Sequence, residues 1–270
     1  MSDAESSAAD YFAAELKAQR AQRGWTQAET GEKIGYSGSY VSDIERGARL
    51  ATLEFARACD RVFGTPKTFE RWQEVAKRAA YPSFFAPVLP FEQEAARIHG
   101  WSVGAVPGLL QTERYARSVI QAGRPQADDA AIERTVTARV ERQSILACGC
   151  PPLLWYVLHE AVLRHVIGDQ ETMGEQLDKL IKAAGLPGIV LQVLPFMAHD
   201  HAGVEGPITI YERPSAPAVG YTECHRGGRI VEDNDEVIDL FTVMGMLRAA
   251  ALSPRDSLAL IKQIRRELDD

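Results

Sequence analysis

Apolar residues recur at helical spacing through the first 80 positions and then give way to short apolar runs. Leu16 lies in a first amphipathic stretch that ends near Gly24. Thr26 is placed to cap a second helix running toward Ile34. Ser37 is placed to cap a third, on which Val41 and Ile44 lie three apart on one face. Thr52 begins a fourth, carrying Phe55, Cys59, Val62 and Phe63 and stopped by Gly64. A fifth spans Lys67 to Ala80. Five short helices in succession predict an all-α domain over residues 11–80.

The pattern then changes. The stretch Tyr81 to Pro90 holds three prolines among aromatic and apolar residues. It predicts a docked linker over 81–90 that cannot form a regular helix. Beyond it, Thr112–Ala122, Ala130–Ala147, Glu171–Ala184, Glu236–Ala250 and Pro254–Leu268 have helical spacing. Leu153–Leu158, Ile189–Leu194, Ile208–Tyr211 and Ala218–Thr222 read as strands. Residues 91–270 are therefore expected to form an α+β domain with a small antiparallel sheet.

Composition refines this picture. The chain is 46% hydrophobic and 25% charged, as in ordinary globular proteins. Residues 1–10 are small, polar and acidic, and are expected to be a disordered tail rather than a signal peptide. No apolar run reaches the ~20 residues of a membrane helix. Four cysteines without export signals fit reduced thiols in the cytoplasm. The formal net charge is -7, yet residues 1–80 hold 12 Lys/Arg and 12 Asp/Glu. All the excess acid lies behind residue 80, so only the first part suits contact with a polyanion.

The chemistry is concentrated between Trp25 and Gly47. Two capped helices meet at Gly35-Tyr36, with Ala28, Ile34, Val41 and Ile44 along their seam and Gly31 facing it. The outward face of the second helix offers Ser39, Ser42 and Asp43, all short. A major groove about 12 Å wide admits such a helix. Gln27, Ser37 and the free N–H groups at the start of that helix suit phosphate. Arg46 and Arg49 follow it and can neutralise the flanking backbone.

The Thr26-Gln27 pair and the run Ser37-Gly38-Ser39-Tyr40-Val41-Ser42-Asp43-Ile44-Glu45-Arg46-Gly47 resemble the XRE-type, phage-repressor-like helix-turn-helix family across residues 11–64. The resemblance implies that Gly38, Ser39 and Asp43 face bases. It implies that Gln27, Ser37, Tyr40 and Arg46 hold the backbone with Arg49 nearby, and that Ser42 does either. Tyr40 has packing against the bundle as its alternative, and Glu45 is expected to tie its helix to a neighbour. Thr30-Gly31 replaces the usual Leu-Ala, and a loosened second helix is expected.

Val106-Pro107-Gly108-Leu109-Leu110-Gln111-Thr112, with Tyr115-Ala116 behind it, resembles a motif of a large actinobacterial regulator family. So do Ala138–Gln143, His159–Leu163, Gln192–Phe196 and Ala251–Ser257. That resemblance implies an antitoxin-like transcriptional regulator paired with a small protein from a neighbouring gene. His159 stands where relatives carry Asp. Double-stranded DNA and a second copy of the chain are the other expected partners, because one short recognition helix reads little sequence. The alternatives are a ligand- or metal-responsive sensor and a protein that mainly sequesters its partner.

Other features point elsewhere. Gly100-Trp101-Ser102-Val103-Gly104 has the G-x-S-x-G form, but Ala105-Val106-Pro107-Gly108 follows where a nucleophile elbow needs a helix. The Cys and His clusters lack zinc spacing, so no metal or other cofactor is expected. Gly227-Gly228 reads as a hairpin turn. No enzyme activity is expected.

Overall fold

The computed structural model describes residues 3–225 and 227–268. Five helices come first: α1 (Asp3–Gln22), α2 (Gln27–Ile34), α3 (Gly38–Glu45), α4 (Leu53–Phe63) and α5 (Thr68–Ala79). α1 begins inside the stretch expected to be disordered, and Met1 and Ser2 lie outside the described residues. Thr26, Ser37 and Thr52 each accept a hydrogen bond from the backbone N–H three residues on, which fixes three helix starts. Phe12, Leu16, Ile34, Val41, Ile44, Phe55, Cys59, Phe63 and Phe69 are buried together and form the core of this bundle.

The remainder holds α6 (Leu89–Glu94), β1 (Arg97–Ser102), α7 (Glu113–Gly123), α8 (Asp129–Arg142), β2 (Leu153–His159), α9 (Glu160–Arg164), α10 (Gln170–Ala183) and β3 (Ile189–Leu194). These are followed by β4 (Ile208–Arg213), β5 (Ala216–Cys224), β6 (Gly227–Val231), α11 (Asn234–Ala250) and α12 (Pro254–Glu267). The sheet has six strands in the order β3-β2-β1-β4-β5-β6. It is mixed, which corrects the expected small antiparallel sheet. β1, β2 and β3 run parallel, because helices intervene between them and return the chain to the same edge. β4, β5 and β6 are antiparallel, joined by short connections. Gly227-Gly228 is not a turn but the start of β6, with Gly227 paired to Cys224. Trp101, Val157, Leu194, Ile208 and Ile210 of the sheet region pack with Met244 and Leu247 of α11.

Two boundaries differ from expectation. The stretch 81–90 is not free of helix: Pro90 sits in the first turn of α6, where its missing N–H costs no hydrogen bond. Contacts divide the chain into Met1–Ala86 with Gly123–Ala138, and Pro87–Ala122 with Arg139–Asp270. Residues 123–138 thus pack with the helical unit, not with the sheet that surrounds them in sequence. Tyr81 is buried in the helical unit, and its hydroxyl donates to the Ala138 carbonyl at 2.6 Å.

Candidate nucleic-acid interface

The corner between α2 and α3 is fixed by hydrogen bonds at both helix starts. The Glu29 N–H donates to Thr26 Oγ1 at 3.2 Å, and Glu29 Oε2 accepts from the Thr26 N–H at 2.7 Å. That backbone bond, with a second from the Thr26 hydroxyl, holds the Glu29 carboxyl below the usual range. The Tyr40 N–H donates to Ser37 Oγ at 3.2 Å, and Ser37 Oγ lies 2.9 Å from Ser39 Oγ. Gly35, with φ of 88°, turns the chain between the helices.

The two helices touch at glycines. A Cβ on Gly31 would lie 2.6 Å from the Tyr36 carbonyl oxygen, and one on Gly38 would lie 2.9 Å from Ala28 Cα. Neither position tolerates a side chain without movement of backbone. Thr30 is fully buried, and its hydroxyl donates to the Thr26 carbonyl at 2.9 Å. The second helix is therefore tightly packed, not loosened. A side chain on Gly38 would point at α2, so this residue presents only backbone on the outer side.

The outer face carries what remains. Ser39 is exposed, and Ser42 and Asp43 are half-buried. Arg46 caps α3 and donates to Asp43 Oδ1 at 2.5 Å, so a cation and an anion neutralise each other at the helix end. Tyr40 stacks on Tyr36 at 4.9 Å and leans on Phe55 at 5.2 Å, which places its ring in the packing. The Arg49 guanidinium lies 4.8 Å above that ring.

Behind this face, Glu45 ties α3 to two neighbours. Arg20 of α1 donates to both Glu45 oxygens, at 2.6 and 3.0 Å. Gln27 Nε2 donates to Glu45 Oε2 at 2.8 Å. Gln27 is thus held by the recognition helix, with one of its two amide N–H groups in use. Glu45 was legible as a tie. Its partner Arg20 was not, since nothing in the spacing links positions 25 residues apart. Arg134 Nη1, which donates to the Gly47 carbonyl at 3.1 Å, was equally hidden.

Residues 12–72 match a model described as "Helix-turn-helix domain", and residues 85–263 match one described as "Domain of unknown function (DUF5753)". The chain belongs to the DUF5753 family. No curated protein and no solved structure matches it. In this DUF5753 protein the Val106–Thr112 loop is wired through its own backbone. Gln111 Nε2 donates to the Val106 carbonyl at 2.7 Å, and Gln176 bonds both the Leu110 carbonyl and the Thr112 N–H. His159 Nδ1 accepts from the Ala161 N–H at 3.2 Å, and so caps α9 as an Asp would. Ser102 of the DUF5753 region ends β1, and the next α-helix starts only at Glu113, so no nucleophile elbow forms. Among the described residues, no group of three or more His, Cys, Asp or Glu could hold a metal ion. No single helix there is long and apolar enough to cross a membrane.

Proposed function

We propose that this protein is a sequence-specific DNA-binding transcriptional regulator that lays α3 in the major groove. One observation carries the reading. The outer face of α3 is thin, with Ser39 exposed and Ser42 and Asp43 half-buried, while Arg20, Gln27 and Glu45 brace the helix from behind. Ser39, Ser42 and Asp43 meet base edges. Ser37 with the first N–H groups of α3, the second amide N–H of Gln27, Arg46 and Arg49 hold phosphates. On docking, the Arg46–Asp43 pair separates. Arg46 turns to a phosphate and Asp43 accepts from a cytosine amino group.

The protein acts in the cytoplasm as a homodimer, since a recognition helix of eight residues reads a half-site. Its DUF5753 region gives it an antitoxin-like role, binding a small protein encoded beside it. The support is the Val106–Ala116 motif and the blocks that follow it. Two experiments test this. Gel retardation with the protein's own upstream DNA reads the first claim, and absence of any shift refutes it. Co-expression with the neighbouring small gene product reads the second, and separate elution of the two proteins refutes it.

A further inference from the structure

A cleft of about 410 Å³ opens in the DUF5753 region, within the range of small-molecule sites. Its walls are apolar: Leu109, Leu146, Pro152, Leu186 and Ile189 among them. Leu109 comes from the motif loop, Pro152 precedes β2, and Leu186 stands 56% exposed on the turn after α10. The apolar lining is broken mainly by Lys179 and Gln143, with Lys182 beside them.

Lys179 is half-buried on α10. Its ammonium donates to the Gln111 carbonyl at 2.8 Å and to Gln143 Oε1 at 2.7 Å. Both acceptors are neutral. An ammonium has three donors, so one remains, and among the described residues Lys179 forms no ion pair with a carboxylate. A half-buried cation with neutral partners beside an apolar cleft is suited to receive an anion. Burial also pushes the Lys179 pKa below its ordinary value.

We infer that this cleft binds a small amphipathic carboxylic acid, its acid group on Lys179 and its hydrocarbon along Leu109, Leu146 and Leu186. The same ammonium grips the carbonyl of Gln111 in the motif loop. A carboxylate on the third donor is thus bonded to the same ammonium as the Gln111 carbonyl, which links occupancy of the cleft to the backbone of the motif loop.

The test uses the full chain without DNA, so its outcome is separate from that of the DNA-binding reading. Anilinonaphthalene sulfonate is the fluorescent probe, and decanoate and decanol are the competitors. Decanoate displaces the probe saturably, and decanol does so at least about tenfold more weakly, as a lost charge-assisted bond requires. Lys179→Met removes the difference between the two. Leu186→Asp, an exposed substitution that leaves the fold intact, weakens both. The inference is overturned if decanoate gives no saturable displacement, or if Lys179→Met binds it as the wild type does. Should Lys179→Met not fold, unchanged decanoate binding by Leu186→Asp overturns it alone.

Discussion

Arg134 donates from α8 to the carbonyl of Gly47, 3.1 Å away, just beyond the end of the recognition helix. The last carbonyls of a helix lack intrahelical partners, and a cation there also opposes the helix dipole. A residue 87 positions downstream thus finishes α3. The helical unit is incomplete when cut at the linker, because Arg134 and the Ala138 carbonyl that Tyr81 reaches are both lost. Arg134→Ala is expected to lower stability by ~1 kcal/mol. A chain ending at residue 86 should melt lower still. Urea denaturation followed by circular dichroism checks both, and a midpoint for the helices of the cut chain equal to that in the full chain would contradict the arrangement.

The brace behind α3 makes a larger prediction. The Glu45 side chain is 4% exposed and Arg20 18%. Removing one member of a buried ion pair leaves the other charge without its partner. Glu45→Ala should cost about 3 kcal/mol and Glu45→Gln clearly less, since the amide keeps an acceptor for Gln27 or Arg20. Equal stability of both variants, read from urea midpoints, would show that the pair does not hold the helix.

Packing at the corner gives the third prediction. Gly31→Ala and Gly38→Ala each drive a methyl within 3 Å of backbone atoms. Each should destabilise the unit by ~1–3 kcal/mol, as overpacking does. Gly38→Ala should also weaken DNA binding, because α3 must shift on α2. If Gly38→Ala melts like the wild type, the helices are not in the close contact described.

Stability should depend on pH through His99. Its Nδ1 accepts from Arg248 at 2.6 Å, and its Nε2–H donates to Glu212. Burial pushes its pKa down and the Arg248 charge adds to this. The Glu212 hydrogen bond opposes both, and Arg97 also lies near. The folded state therefore binds its proton at lower pH than the unfolded chain, whose histidine titrates near ~6.5. Stability is full above that value and is lost as pH falls through it toward the folded pKa. His159, lowered by burial and by His201, acts in the same direction. His99→Gln should flatten the slope between neutral and mildly acid pH by up to ~1.4 kcal/mol per pH unit. An unchanged slope would assign the loss to other groups.

The helical unit was legible because its signals are local. Thr26, Ser37 and Thr52 cap, and Gly35 and Gly64 stop, within a few residues of what they control. β1 was not legible for the opposite reason. Arg97–Ser102 contains a glycine and a histidine where a strand usually has branched residues. Both are set by distant partners: a Cβ on Gly100 would strike the Tyr156 ring, and His99 answers to Glu212 and Arg248. β1 is the strand at which the parallel and antiparallel halves join, so the mixed character of the sheet depends on a strand with no local sequence signal. At the interface, residue types revealed which groups suit DNA. They did not reveal that Asp43 and Arg46 pair, or that Gly38 faces α2.

The most direct test is the binding of fluorescent duplexes from the protein's own upstream region, measured by anisotropy across a salt series. The wild type should bind one duplex more tightly than a scrambled control, with affinity falling steeply as salt rises. Arg46→Ala should weaken binding to every duplex and reduce the salt slope by about 1. Asp43→Asn should tighten binding generally and narrow the preference for the specific duplex. Salt-independent or absent binding, or an Arg46→Ala protein with the wild-type slope, would contradict the placement of α3 in the groove.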